Sequence, residues 1–362
     1  MHIPQSSRAL IVALVFVPVL QSGTQSAQPQ KSASPDRDAT LTRVSGLVER
    51  DQFAQALAAY DEFTVALKKP DPALLAVIAR AELKRLPRAR SDEPILIAGA
   101  LERLARDGNT GARAELNRAA KTVSASATSA RDLAPLLSLV RLGDEEATVR
   151  LGGVLDGTAQ KADVIRIIQD VGARSLAPKV AALLSAGEPQ VRATAALAVG
   201  ALQFKAAVPK LQELFDRDVG VVRMFAAAGL KRLGQRTADI FLAEMLQKDL
   251  PEIRLVAGEA YQNSATTQWV PYVKSVLTDP NEMHRLRAAE LLACCDQPAA
   301  RSALMDALKS ENPSLRAGAA EILEKTGLAD IKSARQMLGD ASEGVRMHGA
   351  GSALRAATAT GK

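Results

Sequence analysis

The sequence predicts an all-α fold, a right-handed α-α superhelix in which helical hairpins stack as a solenoid. Three observations support this prediction. Apolar residues form 47% of the 362 residues but aromatic residues only 3%, and Ala and Leu, which favour helices, carry most of the apolar content. From residue 161 onward a basic residue recurs every 31 residues, with a last step of 30. Apolar residues follow each of these basic residues at helical spacing.

The recurring basic residue marks the first helix of each unit, and we number other positions by their offset from it. Offsets 3 and 4 hold small residues and offset 7 a larger apolar one, for example Ala195, Ala196 and Val199 after Arg192. One helix face carries these offsets, and the small pair lets another helix approach closely. The recurring basic residues are Lys161, Arg192, Arg223, Arg254, Arg285, Arg316 and Arg346.

A second helix follows in each unit. Pro178, Pro209 and Pro271 occupy offset 17, and Pro suits the first turn of a helix, where its missing N–H is not needed. Each unit is therefore a helix, a tight turn, a second helix and a short link. Because neither helix can bury its apolar stripe alone, successive hairpins must stack.

The repeated basic residues have a structural interpretation. An acidic residue precedes almost every one, for example Glu188 before Arg192 and Glu311 before Arg316. Such pairs would form a ladder of ion pairs and turn contacts along the links and keep the units in register, although exposed pairs contribute little individually. A track that binds phosphate or carboxylate is the alternative.

The unit resembles a HEAT repeat, in particular the short variety found in phycobilisome lyase-type proteins. Residues 191–211, "VRATAALAVG…AAVPKL", begin with an apolar residue and Arg, continue as an Ala-rich helix and reach an Ala-apolar-Pro sequence at the second helix. Residues 253–273 match in part. The resemblance covers 161–340, and residues 142–155 are similar to the turn and second helix of one more unit.

The N-terminal part is less regular. Residues 47–72 are similar to the second half of a tetratricopeptide unit, with an aromatic residue before the pattern "AL..Y" and Pro closing the hairpin. We predict an irregular helical-repeat region over 39–128, a small-residue link at 124–130 and a HEAT-like solenoid over 129–362. The helix pairs would form an open arc. The last unit stops after one helix, 345–357, which is either an imperfect cap or an edge that docks to another surface.

The first residues predict export. Arg8 precedes the apolar run "ALIVALVFVPVL" at 9–20 and small polar residues follow, which is typical of a secretory signal peptide. This run is too short to span a bilayer comfortably. We predict a signal peptide at 1–27, a disordered linker at 28–38, a periplasmic or secreted location in a bacterial-type cell, and no stable membrane insertion after cleavage. An uncleaved membrane anchor is the alternative.

The sequence carries no recognised catalytic or metal-binding motif. Metalloprotease, P-loop, nucleophile-elbow and C-x-x-C patterns are absent, and the three histidines lack the spacing of metal ligands. We therefore predict no catalytic residue, no metal site and no cofactor. Cys294 at offset 9 should be exposed and Cys295 at offset 10 should be a small packing residue. The two are inert, or else they are reactive or joined as a vicinal disulfide.

The predicted binding site lies at offset 18. This offset holds Lys179, Lys210, Phe241 and Tyr272. The resemblance to HEAT repeats implies that the second helices line the concave surface, so these four residues would form a row on it. Aromatic side chains are common anchors at protein interfaces. Trp269 at offset 15 is expected to be buried instead.

Three classes of function are compatible with these observations. The leading hypothesis is an exported, non-enzymatic scaffold that binds a protein or peptide partner on the concave face. The resemblance also suggests a bilin lyase-like enzyme, and some HEAT-like folds bind nucleic acid. Export argues against both, and the 46 basic and 40 acidic residues are mixed along the chain, whereas nucleic-acid binders concentrate basic residues on one face. We therefore expect no nucleic-acid partner and leave the oligomeric state open.

Overall fold

A computed structural model describes residues 36–89, 93–124, 126–262 and 266–360. Within these ranges the chain forms twenty α-helices and no β-strand. The predicted signal peptide and most of the predicted linker lie outside the described residues. Among the residues that the structure does describe, no helix combines the length and the apolar character needed to cross a membrane.

Short connections join the helices throughout. In chain order they are α1 (Arg37–Glu49), α2 (Phe53–Leu67), α3 (Pro72–Ala89), α4 (Pro94–Arg106), α5 (Thr110–Lys121), α6 (Ala134–Arg141), α7 (Glu145–Gly157), α8 (Lys161–Val171), α9 (Ala177–Ala182), α10 (Pro189–Ala201), α11 (Val208–Arg217), α12 (Gly220–Arg232), α13 (Asp239–Leu246), α14 (Pro251–Ala260), α15 (Val270–Ser275), α16 (Glu282–Leu292), α17 (Gln297–Ala307), α18 (Pro313–Thr326), α19 (Ile331–Leu338) and α20 (Glu343–Thr360). Single 3-10 turns flank several second helices, at Arg174–Leu176, Leu183–Ser185, Lys205–Ala207 and Val276–Thr278.

The structure confirms an all-α solenoid of helical hairpins. The even-numbered helices from α8 to α20 are the predicted first helices, and the odd-numbered helices from α9 to α19 are the second helices. Pro178, Pro209 and Pro271 lie in the first turns of α9, α11 and α15, as predicted. The small residues at offsets 3 and 4, such as Ala195 and Ala196, are fully buried because neighbouring helices pack over them.

The first helices form the inner layer of the solenoid. Each packs directly on the first helix of the next unit, from α8 on α10 through to α18 on α20. The second helices pack mainly on the first helices of their own and adjoining units. In a curved array of helix pairs, the helices of the inner layer lie closer together than those of the outer layer. The layer whose helices contact one another is therefore the inner one. The expectation that the second helices line the concave surface is therefore wrong for this chain.

The last helix closes the solenoid on itself. Helix α20 packs along α3 and also contacts α4, α18 and α19, so that the inner helices from α4 and α6 round to α20 form a closed circuit within residues 36–360. Ion pairs cross this seam between Arg346 and Glu82 and between Arg103 and Glu324. Of the two alternatives for the last helix, docking is the one observed, and the prediction of an open arc is wrong.

Candidate partner-binding surface

The recurring basic residue ties each link to the helix that follows it. Arg316 donates to the carbonyl oxygens of Ser310 at 2.9 Å and Glu311 at 3.2 Å, which lie six and five residues before it. These carbonyls follow the end of a second helix, where backbone acceptors lack helical partners and a cation is favoured. The same two bonds, at the same offsets, are made by Lys161, Arg192, Arg285 and Arg346.

These contacts support the structural interpretation of the basic series. The acidic partner differs in part from the expected one. Arg192 pairs with Asp218 at 3.1 Å, in the next link, rather than with the preceding Glu188. Arg285 does pair with the acid just before it, Glu282, at 3.2 Å. The recurring basic residues therefore bond both to the link that precedes their helix and to an acidic residue in that link or the next. These bonds hold adjacent units in register.

Removing one of these side chains should destabilise the fold without unfolding it. We expect Arg316→Ala to lower the free energy of unfolding by about 1–2 kcal/mol, because two carbonyls lose a charged donor and Asp340 loses its partner. Urea denaturation measures the change. Arg236→Ala is the control, since that side chain is 92% exposed and its loss should change stability by less than about 0.5 kcal/mol. Equal effects would contradict the proposed role.

Arg223 departs from this pattern. Its guanidinium lies between two aromatic rings, 5.0 Å from the centroid of Phe215 and 5.0 Å from that of Phe241. The two rings meet edge to face, with centroids 5.6 Å apart. Such cation–π contacts hold the start of α12 against α11 and α13. Phe241, predicted as a binding residue, is thus committed to packing within the protein.

The four residues of the predicted row lie on successive second helices and therefore in the outer layer. Lys179 forms an ion pair with Asp156, and Lys210 pairs with Glu213 at 3.0 Å. Tyr272 is 37% exposed and is the aromatic member of the row that faces solvent. The structure does not place the row on the concave face, and its lysines are partnered by acids of this same chain.

Exposed apolar side chains are concentrated in one part of the described chain. Six of the ten large apolar side chains that are exposed there fall between residues 219 and 283. We call these six the apolar edge patch: Val219, Val221, Ile240, Leu250, Tyr272 and Met283. Val221 lies in the first turn of α12, and the equivalent positions in α10 and α18 are polar, Gln190 and Ser314. The patch is therefore a departure from the repeat rather than a property of it.

Two contacts join the elements that carry most members of the patch. Arg223 joins Phe241, the neighbour of Ile240, to the start of α12, where Val219 and Val221 lie. In the next unit Arg254 bonds to the Ser275 hydroxyl at 3.3 Å, and that hydroxyl donates to the Tyr272 carbonyl at 2.7 Å. This places α15 against the start of α14, which Leu250 precedes. Val219 and Leu250, which lie in links where other units have Glu188 or Asn312, were the sequence signal for part of this surface.

The inner face carries a connected set of charged side chains. Glu259 on α14 accepts from Arg232 on α12 at 3.1 Å and from Arg287 on α16 at 2.7 Å. Arg287 also pairs with Glu290, which reaches Lys325 on α18 at 3.5 Å. We call these five residues the inner charge ladder. Desolvation lowers the pKa of Arg232, but for Arg287 the charges of Glu259 and Glu290 outweigh it and raise the pKa.

Asp170 on α8 also interacts with charges of the inner face. Desolvation by the surrounding protein raises the pKa of Asp170, and the charges of Lys325 and Arg287 oppose that change. These residues belong to α18 and α16, which are not neighbours of α8 along the circuit, so their charges act across its interior. The inner face is therefore a crowded, charge-compensated region, and the outer layer offers the apolar surface.

Four other residues are placed as follows. Trp269 is 2% exposed and its indole N–H donates to the Thr266 carbonyl at 3.1 Å, which confirms the predicted burial. Cys294 is exposed as expected, but Cys295 is exposed too and is not a packing residue, because α16 ends before it. His284 lies 3.0 Å from Asp279 and 3.3 Å from Glu252. Across the described ranges, no three His, Cys, Asp or Glu side chains are grouped as metal ligands.

Comparison with protein families matches the model for HEAT repeats at residues 176–262 and 270–355, which confirms the repeats predicted from the 31-residue period. Comparison with curated protein sequences gives no match. Among solved structures, the complex of CpcE and CpcF of phycocyanin lyase from Nostoc sp. PCC7120 is similar, with 17% identity, a TM-score of 0.42, and coverage of 66% of this chain and 94% of that one. Human deoxyhypusine hydroxylase in complex with glycerol is similar at 20% identity and a TM-score of 0.34, covering 70% and 99% of the two chains.

Proposed function

We propose that this chain, in which residues 176–262 and 270–355 are HEAT repeats, is a non-enzymatic scaffold that binds a protein or peptide partner. The binding surface in this proposal is the apolar edge patch on the outside of the solenoid. It replaces the concave row expected from the sequence, since the first helices occupy the inside and carry paired charges there.

The observation that carries the proposal is the concentration of exposed apolar side chains in three consecutive units. Ile240 is 79% exposed and Val219 78% exposed. Apolar surface in water is unfavourable by about 25 cal/mol per Å², so a soluble protein rarely keeps a contiguous patch of it without a use. Burial under a partner is the use that fits a patch held by rigid helices.

Export is part of the same proposal. The support is the apolar run at 9–20 after Arg8, which is typical of a secretory signal. N-terminal sequencing of the protein recovered from the periplasm or the medium checks it. A new N-terminus near residue 27 is expected, and an intact Met1 would exclude cleavage.

Substitution within the patch should remove partner binding and leave the fold intact. We expect the double variant Ile240→Asp and Tyr272→Ala to weaken binding by about 2–4 kcal/mol, the scale of an interface hot spot. Affinity capture from the periplasmic fraction with the chain lacking residues 1–27 identifies the partner, and titration with that partner measures the loss.

The control for this experiment is Val149→Asp on α7. Val149 is 72% exposed and lies outside the patch, so its replacement adds the same charge without touching the proposed surface. Both variants should keep the wild-type melting temperature. Partner capture that survives the double variant, or that falls equally in the control, would refute the patch as the binding surface.

A further inference from the structure

The two cysteines of the chain are adjacent and both face solvent. Cys294 and Cys295 follow the end of α16, and the chain has no other cysteine. Their sulfur atoms lie 3.3 Å apart, so the side chains point to the same side of the turn. Neither the inner charge ladder nor the apolar edge patch uses them.

This spacing suits a shared ligand atom better than a disulfide bond. Consecutive Cα atoms are about 3.8 Å apart across a trans peptide, below the usual disulfide range of about 4.4–6.8 Å, so closing the bond would strain the turn. An atom bound at about 2.3 Å to both sulfurs, with the sulfurs 3.3 Å apart, has an S–M–S angle of about 90°.

That angle discriminates between ligand classes. Tetrahedral zinc needs an angle of about 109° and three or four protein ligands. No group of three candidate ligands exists among the residues that the structure describes. A three-coordinate centre with a lone pair, such as trivalent arsenic, has bond angles close to a right angle and needs only two thiolates when an organic group supplies its third substituent.

We propose that Cys294 and Cys295 form a dithiol site for thiophilic trivalent metalloids of the organoarsenical class. The reaction of an arsenoso compound R–As=O with the site forms two As–S bonds. The oxygen leaves as water with the two thiol protons, and no atom changes its oxidation state. Both sulfur atoms are required, since one thiol alone gives an adduct that other thiols displace.

Neither thiol needs to ionise before it reacts. Partial desolvation of the Cys295 sulfur and the hydrogen bond with Cys294 raise the pKa of Cys295 to about 12. Its proton leaves with the departing oxygen as the second As–S bond closes the chelate.

Chelation should leave the stability of the fold nearly unchanged. A link between consecutive residues closes the smallest possible loop and removes little entropy from the unfolded chain. The following segment is already fixed, because the Asp296 side chain accepts from the Ala299 amide at 3.2 Å and pairs with Lys274 at 2.8 Å. A change in protein stability should therefore not be mistaken for binding of the probe.

Phenylarsine oxide is a suitable probe. Intact mass should show one phenylarsenic group per chain, with the loss of both titratable thiols. The adduct should survive an excess of glutathione and be removed by 2,3-dimercaptopropanol. Cys294→Ser and Cys295→Ser should each lose the adduct to glutathione about 10²-fold faster or more, which is the usual gain from joining two binding groups.

Two results would overturn the proposal. One is a wild-type adduct that glutathione removes as fast as it does from the single variants, which would mean that the two thiols act independently. The other is the absence of two free thiols under denaturing conditions, which would mean that the pair exists as a disulfide. Partner capture through the apolar edge patch is measured separately, so failure of either proposal leaves the other intact.

Discussion

Replacing Arg103 by alanine should lower the free energy of unfolding by about 3–5 kcal/mol, the cost of leaving a buried charge without its partner. Arg103 on α4 donates from Nε to Glu324 on α18 at 2.9 Å, and the second terminal nitrogen also contacts this carboxylate. The Arg103 and Glu324 side chains are 14% and 12% exposed. His348 on α20 lies 2.7 Å from the same carboxylate. Three helices from opposite ends of the chain thus meet at one buried group.

A second seam pair provides the control. Arg335 on α19 bonds to Asp61 on α2 at 2.6 Å, and it also joins the two ends of the chain, but Asp61 is 46% exposed. Solvent screens such a pair, and Arg335→Ala should cost only about 1 kcal/mol or less. Chemical denaturation of both variants measures the difference. Equal losses would show that the circuit is not held mainly by the buried group.

Removing both Arg103 and Glu324 distinguishes the cost of the buried charge from the cost of lost packing. The double variant Arg103→Ala and Glu324→Ala should be more stable than Arg103→Ala alone, because it removes the buried carboxylate that has lost its arginine and keeps only His348. A double variant that is less stable than the single one would instead assign the loss to packing around α20.

The seam also makes stability depend on pH. Burial alone would raise the pKa of Glu324, but the charge of Arg103 and the hydrogen bond with His348 outweigh it and lower the pKa from 4.5 to about 2. A carboxylate with a lowered pKa contributes fully above its unfolded value and loses that contribution as the pH falls through its folded value. Wild-type stability should therefore fall between pH 4.5 and about 2, and Arg103→Ala should show a shallower fall.

The repeat itself was predictable from the sequence, because every unit makes the same local contacts. The basic residue, the small pair and the Pro of each unit recur at fixed spacing since every link and every helix contact has the same geometry. Closure of the circuit was not predictable in this way. Arg103 and Glu324 are 221 residues apart, and Arg103 lies in the irregular N-terminal region, so no repeating pattern pairs them.

The assignment of the two layers failed for a different reason. Both helices of a unit carry an apolar stripe, and periodicity alone does not say which one faces inward. Charged residues at offsets 5 and 9, such as Glu259, Glu290 and Lys325, were the available signal, since they pair only if the first helices converge. Val219 and Leu250 of the apolar edge patch were visible as apolar residues in links, but the aromatic residues at offset 18 predicted a different surface.

The closest approach of two helices in the circuit gives the second prediction. Gly200 on α10 faces Gly229 on α12, and a Cβ at position 200 would lie 2.6 Å from the Gly229 Cα and 3.0 Å from its carbonyl oxygen. Backbone atoms cannot rotate away as a side chain can, so the two helices must separate. In an open solenoid the free end would absorb such a shift, but a closed circuit has to distribute it over every other interface up to the seam.

Gly200→Ala should therefore lower the free energy of unfolding by about 2–3 kcal/mol, since overpacking exceeds the gain of about 1 kcal/mol in helix propensity. The matched control is Gly153→Ala on α7, where an added Cβ meets nothing within 4 Å. There the propensity gain stands alone, so the same substitution should stabilise the protein by up to about 1 kcal/mol. Thermal and urea denaturation should thus give changes of opposite sign. A gain in stability for Gly200→Ala would mean that α10 and α12 are not held at backbone contact. Closure of the circuit would then not make this interface rigid.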